Sequence, residues 1–189
     1  MGKKTKVALA IAAASAAAWA GSKAISKPQK REGKDILHFE RPIVLAHRGG
    51  LQLAPEHTMI AFEKAHELGV DGFEIDIRLT KDEEIIVFHD DTVNRTTNGF
   101  GYVKDFTLKE LRELNAGYYF EDLEGNTPYK DDHISIVTLR ELLVAFPDTY
   151  VNIDMKDDPD TYEGSLIPSK LWRLIEELGV EDRVVVTSF

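Results

Sequence analysis

Cysteine is absent from all 189 residues of this chain. No disulfide framework, thiolate nucleophile or sulfur-ligated metal is therefore open to it, and any metal must be held by oxygen or imidazole. A Gly-rich Walker loop, a Gly-x-Ser-x-Gly elbow and a dinucleotide fingerprint are also missing, which removes support for nucleotide-driven and serine-hydrolase chemistry. Cations are scarce beside anions: 23 Lys and Arg face 33 Asp and Glu, a formal charge of −10. That balance argues against a nucleic-acid partner, because phosphate-backbone binding relies on clustered Lys and Arg. An anionic small molecule would need local positive charge, from a divalent ion or from residues such as Arg48 and Lys156.

Long apolar runs are lacking as well. The Ala-rich stretch from Val7 to Ala20 has 14 residues, short of the roughly 20 that cross a hydrocarbon core. With Lys3, Lys4 and Lys6 ahead of it and Ala18-Trp19-Ala20 at its end, it has the layout of an export signal. The competing readings are an uncleaved anchor, associating with membrane through residues 7–20, and an Ala-rich amphipathic helix. Lys6 occupies the position where a myristoyl signal needs Ser or Thr. A linker with six basic residues runs on to Arg41. The expectation is an exported, secreted or envelope-anchored protein with residues 1–40 as signal and linker, and residues 41–189 as its domain.

From Ile43 the pattern alternates between apolar strand-like runs and helical periodicity. Strands are expected at 43–46, 72–79, 85–88, 150–153 and 183–187, with helices between them and Gly69 in the left-handed position just past the first helix. Glu67-Leu68-Gly69-Val70 and Glu177-Leu178-Gly179-Val180 repeat one helix-to-strand junction. Serial parallel βα units point to an α/β barrel or open sheet, interrupted at about 91–137 by a polar insertion over the site.

His47-Arg48-Gly49, Pro55-Glu56, Glu74-x-Asp76, His89-Asp90 and Asp154-x-Lys156 lie at or just after the C-terminal ends of apolar runs, and in such folds ligands sit beyond the carboxyl ends of the strands. Glu74 and Asp76 lie two apart and share a strand face, away from Phe73, Ile75 and Ile77. Asp154 would complete three hard oxygen ligands for Ca²⁺ or Mg²⁺; a solvated face, or ion pairing with Arg78 or Lys156, is the competing reading. His47 and His89 each close a strand and could exchange protons near neutral pH, although a structural role is the alternative for either. Arg48 and Lys156 suit phosphoryl oxygens, or else salt bridges to the nearby carboxylates.

The stretches Ala46-His47-Arg48-Gly49, Ala54-Pro55-Glu56-His57-Thr58, Phe73-Glu74-Ile75-Asp76, Val87-Phe88-His89-Asp90-Asp91, Arg95-Thr96-Thr97-Asn98-Gly99 and Asn152-Ile153-Asp154-Met155-Lys156 resemble the glycerophosphodiester phosphodiesterase family over about residues 42–189. The resemblance implies a (β/α)8 TIM barrel, of which about five strands lie in this chain, and metal-dependent hydrolysis of glycerophosphodiesters to sn-glycerol 3-phosphate and an alcohol. It further implies Glu74, Asp76 and Asp154 as ligands of Ca²⁺ or Mg²⁺, Glu56 as an addition to that shell, His47 and His89 as the acid/base pair, and Arg48 and Lys156 on the phosphate. Three positions depart from the family pattern: His57 stands where Asn is usual, Asp154 where Glu is, and Val137 where Pro is. Two alternatives remain at this point. One is a related phospholipase D acting on sphingomyelin or lysophospholipid; the other is a truncated, non-catalytic fragment that only binds ligand or metal.

Overall fold

Nine residues of helix α1, Met59–Glu67, separate the first two strands. In the computed structural model, which describes residues 39–156 and 165–187, Thr58 caps this helix by accepting from the Ala61 amide. Gly69 takes φ +77° just past its end, as its place in the sequence predicts. Ala61, Phe62 and Ala65 are buried against the sheet.

Strand β1 is Leu45–His47, β2 Gly72–Leu79, β3 Ile85–Val87, β4 Tyr150–Met155 and β5 Val184–Thr187. Helices α2 (Leu108–Leu111), α3 (Leu139–Ala145) and α4 (Ile167–Leu178) complete the set. The sheet runs β1-β2-β4-β5 with all these neighbours parallel, and β3 pairs with β2 antiparallel. The third strand therefore departs from the expected serial parallel pattern. Only Thr80 to Glu84 joins it to β2, whereas a parallel crossover needs a dozen or more residues. Four strands, not five, carry the parallel βα rhythm.

Register explains how the sheet divides its side chains. Phe73 stands beside Ala46 and Val151, and Ile75 beside Ile153. With Phe62, Leu139, Leu142 and Leu171 they form the main core under the helices, where the Phe62 and Phe73 rings lie 5.0 Å apart and Phe73 meets Phe146 edge-on at 5.1 Å. Two-residue periodicity then sends His47, Glu74, Asn152, Asp76 and Asp154 to the opposite face.

Residues between β3 and α3 build a second, smaller core from Ile86, Phe88, Val93, Val103, Leu111, Ala116, Ile134 and Ile136. Ile86 belongs to it because β3 alternates, so Ile85 and Val87 face the main core while Ile86 faces the insertion. Capping boxes at Thr107/Glu110 and Thr138/Glu141 start α2 and α3, as their Thr-x-x-Glu spacing predicts. All described residues fall in one unit, Asp35–Phe189. No described helix is long and apolar enough to cross a membrane, and the export signal expected over residues 1–20 lies outside the described residues.

Candidate active site

His47 ends β1 and the chain then turns back at once, with the Gly50 and Leu51 amides both donating to its carbonyl. The turn needs Gly49, which holds φ +73° and whose added Cβ would fall 2.0 Å from Cε1 of Phe62. Arg48, at φ +50°, directs its amide to Glu74 Oε2 at 3.2 Å. His47 Nε2 stands 3.9 Å from the same carboxylate oxygen, with its side chain 63% exposed.

In the sheet register Glu74 lies between His47 and Asn152, and Asp76 lies beside Asp154. Both aspartates are buried, at 2% and 5% exposure. Lys156 places Nζ between them, 3.0 Å from Asp76 Oδ1 and in contact with Asp154 Oδ2. Burial by itself raises the Asp76 carboxyl, but the His57 imidazole and the Lys156 ammonium outweigh it and hold that group well below the ordinary carboxylate range. Lys156 is raised: burial opposes its charge, and its bonds to Asp154 and Asp76 more than compensate.

The structure thus places Lys156 in an ion pair with the metal-ligand candidates, one of the two readings its position allowed. Glu74 is directed to Arg48 and His47 rather than to Asp76 and Asp154, and no group of three or more His, Asp or Glu that could hold a metal is gathered among the described residues. The donors nevertheless fit a hard cation. Asp76 Oδ2 and Asp154 Oδ1 are buried oxygens without a hydrogen bond, a costly state that a divalent ion would relieve. His57, the departure from the family's Asn, is buried at φ +58° and accepts the Asp76 amide at Nε2 over 3.3 Å. The same Nε2 lies 3.3 Å from Asp76 Oδ2, so a protonated ring serves that oxygen in place of the amide.

His89 follows β3, and its Nδ1 lies 2.6 Å from Asp90 Oδ1. Its carbonyl accepts from Arg78 Nε at 2.9 Å, which ties the end of β3 to β2. Arg95 then grips two carboxylates with one fork. Nε and Nη2 reach Asp90 at 2.7 and 3.0 Å, while Nη1 and Nη2 reach Glu56 at 2.9 and 2.7 Å. Arg48 Nη1 adds a third guanidinium bond to Glu56 at 3.0 Å. Burial would raise Glu56, yet Arg95 and Arg48 keep it below its usual value. Asp90 is pushed down to about 2, Arg95 and His89 overcoming its burial, and Arg95 is raised in turn by Glu56 and Asp90.

Sequence reasoning gave no role to Arg95 or Asp90. Only the loop of residues 91–97 brings Arg95 back across the sheet end to Glu56. The available signal was a carboxylate directly after His89 and a cation five residues beyond it in a chain poor in cations. Arg48, expected on phosphate, is instead held on Glu56. A separate surface recess of about 220 Å³, lined by Glu83, Arg140, Lys170 and Glu177, holds none of these residues and is laced by the Arg140–Glu177 and Lys170–Glu83 ion pairs.

With this geometry in place, comparison with known proteins is decisive for the family. A profile of the glycerophosphoryl diester phosphodiesterase family matches residues 47–189. The chain belongs to this family. It is similar to a glycerophosphodiester phosphodiesterase of Caldanaerobacter subterraneus subsp. tengcongensis, 45% identical over 152 residues that cover 79% of this chain and 58% of that protein. Among solved structures it resembles the glycerophosphoryl diester phosphodiesterase domain of an uncharacterized Mycobacterium tuberculosis protein, with TM-score 0.69 and 27% identity over 79% of this chain and 53% of the other. It also resembles an Oleispira antarctica phosphodiesterase solved with the product sn-glycerol-3-phosphate, with TM-score 0.65 and 29% identity over 78% and 57%. The chain therefore spans a little over half the length of these family members. Its parallel strands and flanking helices form part of the α/β TIM barrel of the glycerophosphodiester phosphodiesterases.

Proposed function

We propose that this chain hydrolyses glycerophosphodiesters to sn-glycerol 3-phosphate and an alcohol. The observation that carries the reading is the convergence of His47, Glu74, Asp76 and Asp154 on one sheet face with the Asp90-backed His89 at the adjoining strand end.

Asp90 keeps a proton on Nδ1 of His89 and leaves Nε2 as the proton-exchanging atom, while stabilising the imidazolium once it forms. His89 accordingly takes the proton from the attacking glycerol hydroxyl as its oxygen bonds to phosphorus. His47, open to solvent beside Glu74, gives a proton to the alcohol oxygen as the phosphorus–oxygen bond to it breaks. Water then opens the cyclic phosphodiester with the proton roles reversed, yielding sn-glycerol 3-phosphate. Asp76 and Asp154, with Glu74 as the third carboxylate of that face, would hold Ca²⁺ or Mg²⁺, whose chemistry is to neutralise charge developing on the phosphoryl oxygens. Lys156 stands beside the same two aspartates and can turn its ammonium to phosphate when a cation replaces it there. Glu56, fixed by Arg48 and Arg95, holds the loop that carries His57.

The same reading proposes export to the cell envelope or beyond, supported by the basic and then apolar start of the sequence. The reaction is tested with the full chain, glycerophosphocholine and added Ca²⁺ or Mg²⁺, reading sn-glycerol 3-phosphate. Release that is abolished by chelator and lowered about 10²-fold or more in His89→Ala supports the reading. Absence of release, wild-type rates in both His47→Ala and His89→Ala, or faster cleavage of sphingomyelin or lysophospholipid overturns it.

A further inference from the structure

Arg78 stands two places beyond Asp76 on β2, so alternation along the strand gives the two residues one face. Ile77, between them, pairs with Met155 of β4 and with Val87 of β3, which puts β3 and β4 on opposite edges of β2. At this level the Phe88 amide donates to the Asp76 carbonyl at 2.9 Å and the Lys156 amide to the Ile77 carbonyl at 3.1 Å. One side chain then reaches across to both ends. Arg78 Nε donates to the His89 carbonyl at 2.9 Å, and Nη1 makes a longer bond to the Lys156 carbonyl at 3.4 Å. We propose that Arg78 is a positioning residue, which sets the separation of His89 from the Asp76, Asp154 and Lys156 group by holding both main chains on one guanidinium; the proposal rests on the hydrolysis reading above.

The reaction needs such a brace because the imidazole and the carboxylate row act on one phosphoryl group from different strands. A misplacement of about 1 Å between groups of this kind can cost about 10²-fold in rate. Strand pairing alone holds His89 weakly: β3 has three residues, and the chain leaves it for the insertion directly after His89. Asp90 fixes the ring through Nδ1, but it follows His89 in the chain and moves with the same main chain. Arg78 supplies the second point of attachment, from the rigid strand that also carries Asp76. A planar guanidinium has donors fixed in several directions and can serve carbonyls on either side at once. The single ammonium of a lysine cannot keep that geometry.

Turnover and hydrogen exchange test it separately. Arg78→Met and Arg78→Lys are made in the full chain, their folding is checked by circular dichroism, and glycerophosphocholine hydrolysis is followed with Ca²⁺. In Arg78→Met kcat should fall about 10²-fold and in Arg78→Lys about 10-fold, with KM within about 3-fold of wild type in both. Amide exchange reads the brace without any reaction. The Phe88 and Lys156 amides should exchange about 10-fold faster in Arg78→Met, while those of Ile75 and Ile153, paired at the middle of the sheet, keep their wild-type rates. Arg78→Lys, which retains the charge, carries both readouts if Arg78→Met does not fold. Wild-type kcat in the variants, a loss confined to KM, or exchange quickened equally at Ile75 and Ile153 overturns the proposal. Faster exchange at Phe88 and Lys156 alone, in a chain that hydrolyses no diester, leaves the brace standing and overturns the reaction.

Discussion

Replacing Arg95 with Met removes one guanidinium and four charge-assisted hydrogen bonds, two to Glu56 and two to Asp90. Bonds to charged groups are worth about 1.5–3 kcal/mol each when isolated, but that sum overstates the loss here. The Arg95 side chain is 48% exposed, so solvent screens it and can take over on the Asp90 side. Glu56 is different, at 8% exposure, and retains only the single Arg48 contact once Arg95 is gone. Leaving a buried carboxylate half-compensated costs about 2–3 kcal/mol, below the 3–5 of a fully stranded charge because Arg48 remains. In urea, at a slope of about 2 kcal/mol/M, the unfolding midpoint should fall by about 1 M or more. Arg95→Lys, which keeps the charge and loses the fork, should lose about half as much. A cycle with Glu56→Gln should return a coupling of about 1–2 kcal/mol. A midpoint for Arg95→Met within about 0.2 M of wild type, or a coupling near zero, would refute the clamp.

The clamp should also respond to pH. Asp90 titrates at about 2 in the fold and near 3.9 unfolded, so its contribution is complete above about pH 5 and is lost as pH falls through 4 towards 2. The Tm difference between wild type and Arg95→Met should therefore be level from pH 5 to 7 and shrink below 4. Lys156→Met removes the ammonium between two buried aspartates; in chelator it should lower stability by about 2–3 kcal/mol, and added Ca²⁺ should raise Tm more in this variant than in wild type, with equal Ca²⁺ responses counting against a cation at Asp76 and Asp154. Thr138→Ala loses the α3 cap and should cost about 1 kcal/mol in urea unfolding, with m unchanged.

Periodicity in the sequence determined which face each strand residue takes. Glu74 and Asp76 had to lie opposite Phe73, Ile75 and Ile77, because alternation along a strand is a property of the backbone. The helix caps at Thr107 and Thr138 and the left-handed Gly69 were equally local, and so was the inventory of two strand-end histidines and three carboxylates. What the tertiary structure decided are pairings between residues far apart in sequence. The antiparallel direction of β3 followed from a connection too short for a crossover. The Asp76–Asp154 row depends on β4 docking directly beside β2. Arg95 meets Glu56 across 39 positions because the insertion folds its own small core and brings the loop back. Periodicity carries no information about such partners: a Lys at position 156 reads the same whether it faces phosphate or bridges two aspartates, and only the register of the sheet puts it between them.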